Sequence, residues 1–208
     1  MSSFEKQSFL IALISPSGGG KTAIFKEVLK DCENISYSIS YTTRPARHNE
    51  VNGRDYHFIS RKKYNEMKDA AEFLEHAEVH GFGYGTSKKF VESELAKGQH
   101  VIMDIDVWGA LQIMEKEIEL ITIFILPPTE NELIRRLRTR KTETEEVLKI
   151  RMETAEKEMK EIGNFDYLVV NDVFEDAVQE VKTIIQAEEN KIRRYKNINK
   201  TYYGNVSS

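Results

Sequence analysis

The chain is 208 residues long, 40% apolar and 31% charged, with a formal net charge of −4. That suffices for one folded domain with a sizeable core, it excludes wholesale disorder, and the charge argues weakly against a nucleic-acid binder. A single cysteine, Cys32, excludes an intramolecular disulfide, no Cys/His spacing suits zinc, and no apolar run approaches the ~20 residues of a membrane span.

Phe9–Ile14 is a short continuous apolar run, the pattern of a strand buried on both faces of a parallel sheet. It leads into Ser15-Pro16-Ser17-Gly18-Gly19-Gly20-Lys21-Thr22, then into Ile24, Phe25, Val28 and Leu29 at helical spacing. Strand, glycine-rich turn and helix in that order make a phosphate cradle. The glycines let backbone N–H groups turn inward, and the helix N-terminus adds its positive dipole end. Lys21 is placed to reach the β- and γ-phosphates of a nucleoside triphosphate, and the Thr22 hydroxyl to ligate its magnesium ion. Ser15 stands where the strict G-x-x-x-x-G-K-[ST] pattern has glycine, so strain is expected there if φ must be positive. The bland alternative is a flexible turn joining strand to helix.

Residues 35–88 alternate polar and β-prone side chains with Arg-rich turns, the character of an inserted substrate subdomain. A helix at Phe90–Lys97, closed by Gly98, precedes a buried strand, His100–Asp106, which ends in two acids. Val107–Glu117 reads as helical, and Leu120–Leu126 as a third central strand stopped by Pro127-Pro128. Thr129 caps a long helical stretch carrying Arg135, Arg136, Arg138 and Arg140, and Thr142–Glu146 restarts a helix reaching about Ile162. Asp166–Val170 is expected as the last buried strand and Phe174 to about Lys196 as the last helix, with Lys191–Tyr203 a solvated end and Asn197–Ser208 frayed. Strands alternating with helices predict an α/β fold built on a doubly wound parallel sheet.

In Tyr41-Thr-Thr-Arg-Pro-Ala-Arg47, Pro45 stiffens a turn from which Arg44 and Arg47 can both face one phosphate monoester, with phenols at Tyr56 and Tyr84 adding neutral hydrogen bonds. A solvated basic turn is the alternative. Asp104, at the end of an apolar strand, sits where an acid holds magnesium through water, or else orients Lys21 and the loop.

The run Thr43-Arg44-x-x-Arg47-x-x-Glu50-x-x-Gly53-x-x-Tyr56-x-Phe58-Ile59 resembles the guanylate kinase signature at each fixed position. The resemblance extends through Ser38-Ile-Ser40, Phe73-Leu-Glu75-His-Ala, Gly83-Tyr-Gly-Thr-Ser87, Asp104-Ile-Asp106, Thr142–Glu146 and Val170-Asn-Asp172. It implies a nucleoside monophosphate kinase that moves the γ-phosphoryl group of ATP to GMP with Mg2+, giving ADP and GDP. It also implies one domain over 1–208, with a core (8–34, 89–128, 163–196), a mixed, β-rich GMP-binding subdomain (35–88), a helical lid (129–162) and a flexible tail (197–208).

By that resemblance the GMP phosphate falls to Arg44, Arg47, Tyr56 and Tyr84, and the guanine to Ser40, Glu75, Thr86 and Asp106. ATP falls to Ser15, Ser17, Gly18, Gly19, Gly20, Lys21, Thr22, Arg136, Asn171 and Asp172, and magnesium to Thr22 and, through water, Asp104. Lys21, Arg47, Arg140 and Arg151 are the implied catalytic cations. The chemistry agrees: guanine offers N1–H and an amino group to a Glu75 carboxylate, whereas adenine presents a lone pair at N1. Asn171 and Asp172 could equally form a simple Asx turn.

This chain departs from the pattern in three places. Ser15 replaces the loop glycine, Trp108 falls one place later than in the family's Asp-Trp-Gln-Gly, and Lys141 replaces a frequent glycine between the lid arginine and Thr142. The expected partners are ATP and GMP, with dGMP, and no nucleic acid, membrane or obligatory protein partner. The segment Met1–Ser8 lacks an Arg-rich amphipathic face, so a cytoplasmic location is expected. Two alternatives are a guanylate-kinase-like binding module, which typically lacks a working phosphate loop, and a kinase for AMP or UMP.

Overall fold

The computed structural model describes residues 4–16, 18–79, 81–116, 118–138 and 145–203. The chain runs β1 (Leu10–Ile14), α1 (Lys21–Asp31), β2 (Ile35–Tyr37), β3 (Tyr41–Thr42), β4 (His57–Phe58), α2 (Arg61–Asp69), β5 (Phe73–Val79), β6 (Phe82–Ser87) and α3 (Lys88–Ala96). It continues through β7 (His100–Asp104), α4 (Val107–Met114), β8 (Leu120–Leu126), α5 (Glu130–Arg138), α6 (Glu145–Lys160), β9 (Tyr167–Val170), α7 (Phe174–Glu189) and α8 (Ile198–Tyr203).

Strands β2, β7, β1, β8 and β9 lie side by side in that order, every pair parallel. Alternation along β1 explains its unbroken apolar sequence. Phe9, Ile11 and Leu13 join a core with Ile24 and Val28 of α1 and Val181 and Ile185 of α7, while Leu10, Ala12 and Ile14 face Val91 of α3 and Ala110 and Ile113 of α4. A strand covered on both faces needs an apolar side chain at every position. The expected doubly wound sheet is present.

A second sheet, in the order β4-β3-β6-β5, pairs β3 with β4 in parallel and its other neighbours antiparallel. Helix α2 packs on it through Tyr64 and Met67 against Phe73. Among the described residues no helix is long and apolar enough to cross a membrane.

The structure corrects four of these expectations. β7 ends at Asp104 rather than Asp106, whose Oδ1 instead accepts from the Gly109 N–H at 2.7 Å and caps α4. β9 is an edge strand, paired only with β8, and it leaves Leu168 and Val170 exposed, so the expectation of a buried strand fails there. A helix was expected to run from Phe174 to about Lys196, but α7 ends at Glu189 and the chain turns back through a 3-10 turn at Ile192–Arg194. The expected frayed tail holds α8, while residues 204–208 lie outside the described set.

That turn exists because Arg194 is not a solvated helix end. It is 1% exposed, ion-paired with the equally buried Glu188 at 3.0 Å, and its guanidinium lies 4.0 Å from the Phe9 ring centre. The Arg194 carbonyl accepts from the Gln7 N–H, pinning the segment that leads into β1. Arg194→Met leaves Glu188 Oε2 without its partner while Lys191 and Tyr167 still engage Oε1, so it is expected to lower stability by about 1–3 kcal/mol. Urea unfolding should show a lower midpoint with an unchanged slope, and an unmoved midpoint would show that the pair does not hold the terminus down.

Candidate active site

After β1 the residues Ser15, Pro16 and Gly18–Gly20 lie at the carboxyl ends of the parallel strands, where open α/β sheets place their ligands. Gly18 and Gly20 have φ of +93° and +95°, a region that strains an L side chain. A Cβ on Gly20 would also lie 2.2 Å from Asn171 Nδ2. Ser15 carries no such strain, since Ala71 and Asn197 are the only non-glycine residues with positive φ among those described. Its buried hydroxyl donates to the Pro16 carbonyl at 3.0 Å. Ser17 lies outside the described residues.

Asn171 follows β9 and braces this loop. Its Nδ2 donates to the Gly19 carbonyl at 2.9 Å, and its own carbonyl accepts from Arg136 of α5 at 3.0 Å. It does more than close an Asx turn. Asp172 is exposed.

Lys21 and Thr22 open α1 and meet Asp104 at the end of β7. Lys21 Nζ lies 2.7 Å from Asp104 Oδ1 and donates to the Ile105 carbonyl, while Thr22 Oγ1 donates to Asp104 Oδ2 at 3.1 Å. One carboxylate therefore orients both residues. Thr22 and Asp104 offer two hard oxygens side by side, the number Mg2+ takes from a protein when phosphates and water complete its octahedron. No group of three or more His, Cys, Asp or Glu side chains converges on a metal position among the described residues.

The second sheet supplies the opposite wall. Glu75 on β5 and Thr86 on β6 are cross-strand partners, and Thr86 Oγ1 donates to Glu75 Oε1 at 2.5 Å. Glu75 is 5% exposed, and this burial pushes its carboxyl up to about 7, with Asp106 adding to the rise against the Thr86 hydrogen bond. Gly109 makes that closeness possible, because a Cβ there would sit 2.8 Å from Glu75 Oε2.

Arg44 is held by Glu50, whose Oε1 accepts from it at 2.8 Å while Oε2 accepts from the Arg47 N–H. Hydrogen bonding to Arg44 keeps the Glu50 carboxyl below its ordinary range. The Arg44 guanidinium lies 5.4 Å from the Tyr56 ring centre, and the Tyr56 and Tyr84 rings meet edge to face at 6.1 Å. Burial raises the Tyr56 phenol to about 12, so it remains a neutral donor at physiological pH. Arg47 is exposed on its turn.

These walls enclose a cleft of about 600 Å³ lined by Lys21, Thr22, Ser40, Tyr56, Glu75, Tyr84, Asp104 and Asp106. The hollow of the glycine loop shares Ser15, Lys21 and Thr22 with it. Arg151, Thr154 and Glu158 enter the cleft from α6 at the i, i+3, i+7 spacing of one helix face. Of these, sequence reasoning named only Arg151. Glu50 belongs to the Arg44–Ile59 motif, and its role in holding Arg44 and Arg47 emerges only from the structure. Arg140 lies outside the described residues.

The guanylate kinase family model matches residues 7–188, most of the chain. This chain belongs to the guanylate kinase family. Guanylate kinases of Thermotoga maritima and Clostridioides difficile are each 43% identical to it, over 185 and 195 residues, covering 89% and 94% of this chain and 89% and 95% of theirs. The crystal structure of guanylate kinase from Anaplasma phagocytophilum is similar over 97% of both chains at 31% identity, with a TM-score of 0.82. As a guanylate kinase family member the protein is an enzyme of the nucleoside monophosphate kinase class.

Proposed function

We propose that this guanylate kinase family member transfers the γ-phosphoryl group of ATP directly, in line, onto the phosphate of GMP or dGMP. The observation that carries this reading is the shared lining of loop hollow and cleft at Ser15, Lys21 and Thr22, which lets a triphosphate and a monophosphate meet end to end. Arg44, Arg47, Tyr56 and Tyr84 grip the acceptor phosphate, and Ser40, Glu75, Thr86 and Asp106 read the guanine. Ser15–Thr22 and Arg136 hold ATP, with Asn171 bracing the loop beneath it and Asp172 at its edge. Lys21, Arg47, Arg140 and Arg151 supply positive charge around the transferred group, whose loose transition state needs positioned cations more than a strong base.

Thr22 and, through water, Asp104 would hold Mg2+, which when bound neutralises phosphate charge. We assign residues 8–34, 89–128 and 163–196 to a core, 35–88 to the GMP side and 129–162 to a lid whose closure excludes water. The setting is the cytoplasm, with no obligatory protein partner.

A coupled assay for diphosphate formation across GMP, dGMP, AMP, UMP and CMP tests the reading. Turnover of the two guanine nucleotides alone is expected, and a preference for AMP or UMP would overturn the Glu75 assignment. The pH dependence is a second test. Guanine N1–H needs an ionised Glu75 as acceptor, and below its raised range that carboxyl carries a proton which faces the same N–H. kcat/KM for GMP should therefore fall about tenfold per unit as pH drops below 7, while KM for ATP stays flat.

A further inference from the structure

In the order β4-β3-β6-β5 the strand β5 stands last, so no described strand pairs with its outer edge. A bare edge leaves backbone N–H and C=O groups that need partners from elsewhere. Here α4 and the turn after it supply them from side chains. Gln112 Oε1 accepts from the His76 N–H at 3.2 Å and its Nε2 donates to the His76 carbonyl at 2.9 Å, so one amide takes the place that a neighbouring strand would fill. Lys116, two residues past the end of α4, donates through Nζ to the Leu74 carbonyl. Leu74 and His76 stand on either side of Glu75, and the register of β5 against β6 shifts between Phe73 and Glu75. Such a bulge re-aims a side chain, and the pairing around it is held less firmly than in an unbroken ladder. The same helix meets Glu75 at Gly109, where a Cβ would lie 2.8 Å from Oε2, and it begins at the capping Asp106 that lines the cleft.

We propose that Gln112 is a positioning residue for guanine recognition, assisted by Lys116: together they fix the β5 backbone on both sides of Glu75, so that its carboxylate meets both base donors at once. This deepens the kinase reading above and rests on its assignment of the guanine to Glu75. Neither Gln112 nor Lys116 is among the residues that line the cleft, so each acts through Glu75 rather than on the nucleotide. Two hydrogen bonds from one carboxylate to one base need both oxygens near the plane of the ring, and a shift of about 1 Å is enough to lose such a match.

Gln112→Met keeps the length of the side chain and removes both bonds to His76. It is assayed for GDP formation alone and in a Glu75→Gln background, with circular dichroism melting to show that each variant is folded. Alone it is expected to lower kcat/KM for GMP about tenfold, with kcat at saturating GMP and KM for ATP each within about twofold, the scale of one weakened hydrogen bond to a charged group. In the Glu75→Gln background the same substitution should cost no more than about twofold, because no carboxylate is left to aim. Lys116→Met is expected to act in the same direction, by about threefold, and Lys116→Arg, which keeps a donor for the Leu74 carbonyl, to recover most of that loss.

A folded Gln112→Met chain with wild-type kcat/KM for GMP overturns the proposal. An equal tenfold loss in both backgrounds also overturns it, since a general loosening of α4 against the sheet would not depend on Glu75. If Gln112→Met does not fold, the same cycle run with Lys116→Met, which lies past the helix end, decides in the same two ways. A Glu75→Gln chain that turns over GMP as well as wild type would instead refute the guanine assignment itself.

Discussion

Lys21→Ala is expected to lower kcat about 10³-fold while GMP affinity changes no more than about twofold. In the structure Lys21 Nζ touches Asp104 and the Ile105 carbonyl and lies where the loop hollow opens into the cleft. Among the described residues its hydrogen bonds and ion pair go to Asp104 and Ile105, not to Glu75 or Thr86. Its ammonium is the group best placed to follow charge on the phosphoryl group as the bridging bond breaks, an interaction stronger in the transition state than in the ground state. Single-turnover kinetics at saturating nucleotides, with a separate equilibrium titration of GMP, distinguish the two effects. A kcat within tenfold of wild type would remove Lys21 from the transfer step.

Glu75→Gln is expected to reduce kcat/KM for GMP about 10²-fold and leave KM for ATP unchanged. The carboxylate presents two acceptors to two guanine donors, and an amide replaces one acceptor with a donor that faces N–H. Because the site is 5% exposed, water cannot repair the mismatch. The same variant should lose the fall in kcat/KM below pH 7, since it has no carboxyl left to titrate. A variant that keeps the pH profile would assign that titration to another group. If the Lys21 and Glu75 variants showed one common defect, the division between phosphate transfer and base recognition would be wrong.

The phosphate loop was legible because its geometry is local. Glycines at positive φ, a strand before and a helix after all leave marks within a dozen residues, from Leu10 to Thr22. The central sheet was legible for a similar reason, as β1 reads as an unbroken apolar run and β8 as one interrupted only by the buried Thr122. β9 reads the same way, but its edge position depends on which strand it pairs with, and that information is not in its own residues. Arg194 was missed because basic residues after a helix are usually solvated, and only the return of the chain onto Phe9 and Glu188 buries this one.

Ser15 shows a milder failure. The substitution was visible, but its φ was not, and the sign of its effect depended on that angle. Glu158 could have been found, since it shares a helix face with Arg151. What the sequence lacked was the knowledge that this face lines the same cleft as Lys21 and Asp106.

A single molecule carrying adenosine and guanosine at the two ends of a five-phosphate chain tests most directly whether both nucleotides share one cleft. It should bind one per chain and compete with both ATP and GMP, and Lys21→Ala and Arg44→Ala should each weaken it. Competition with only one nucleotide, or two molecules bound per chain, would contradict the account.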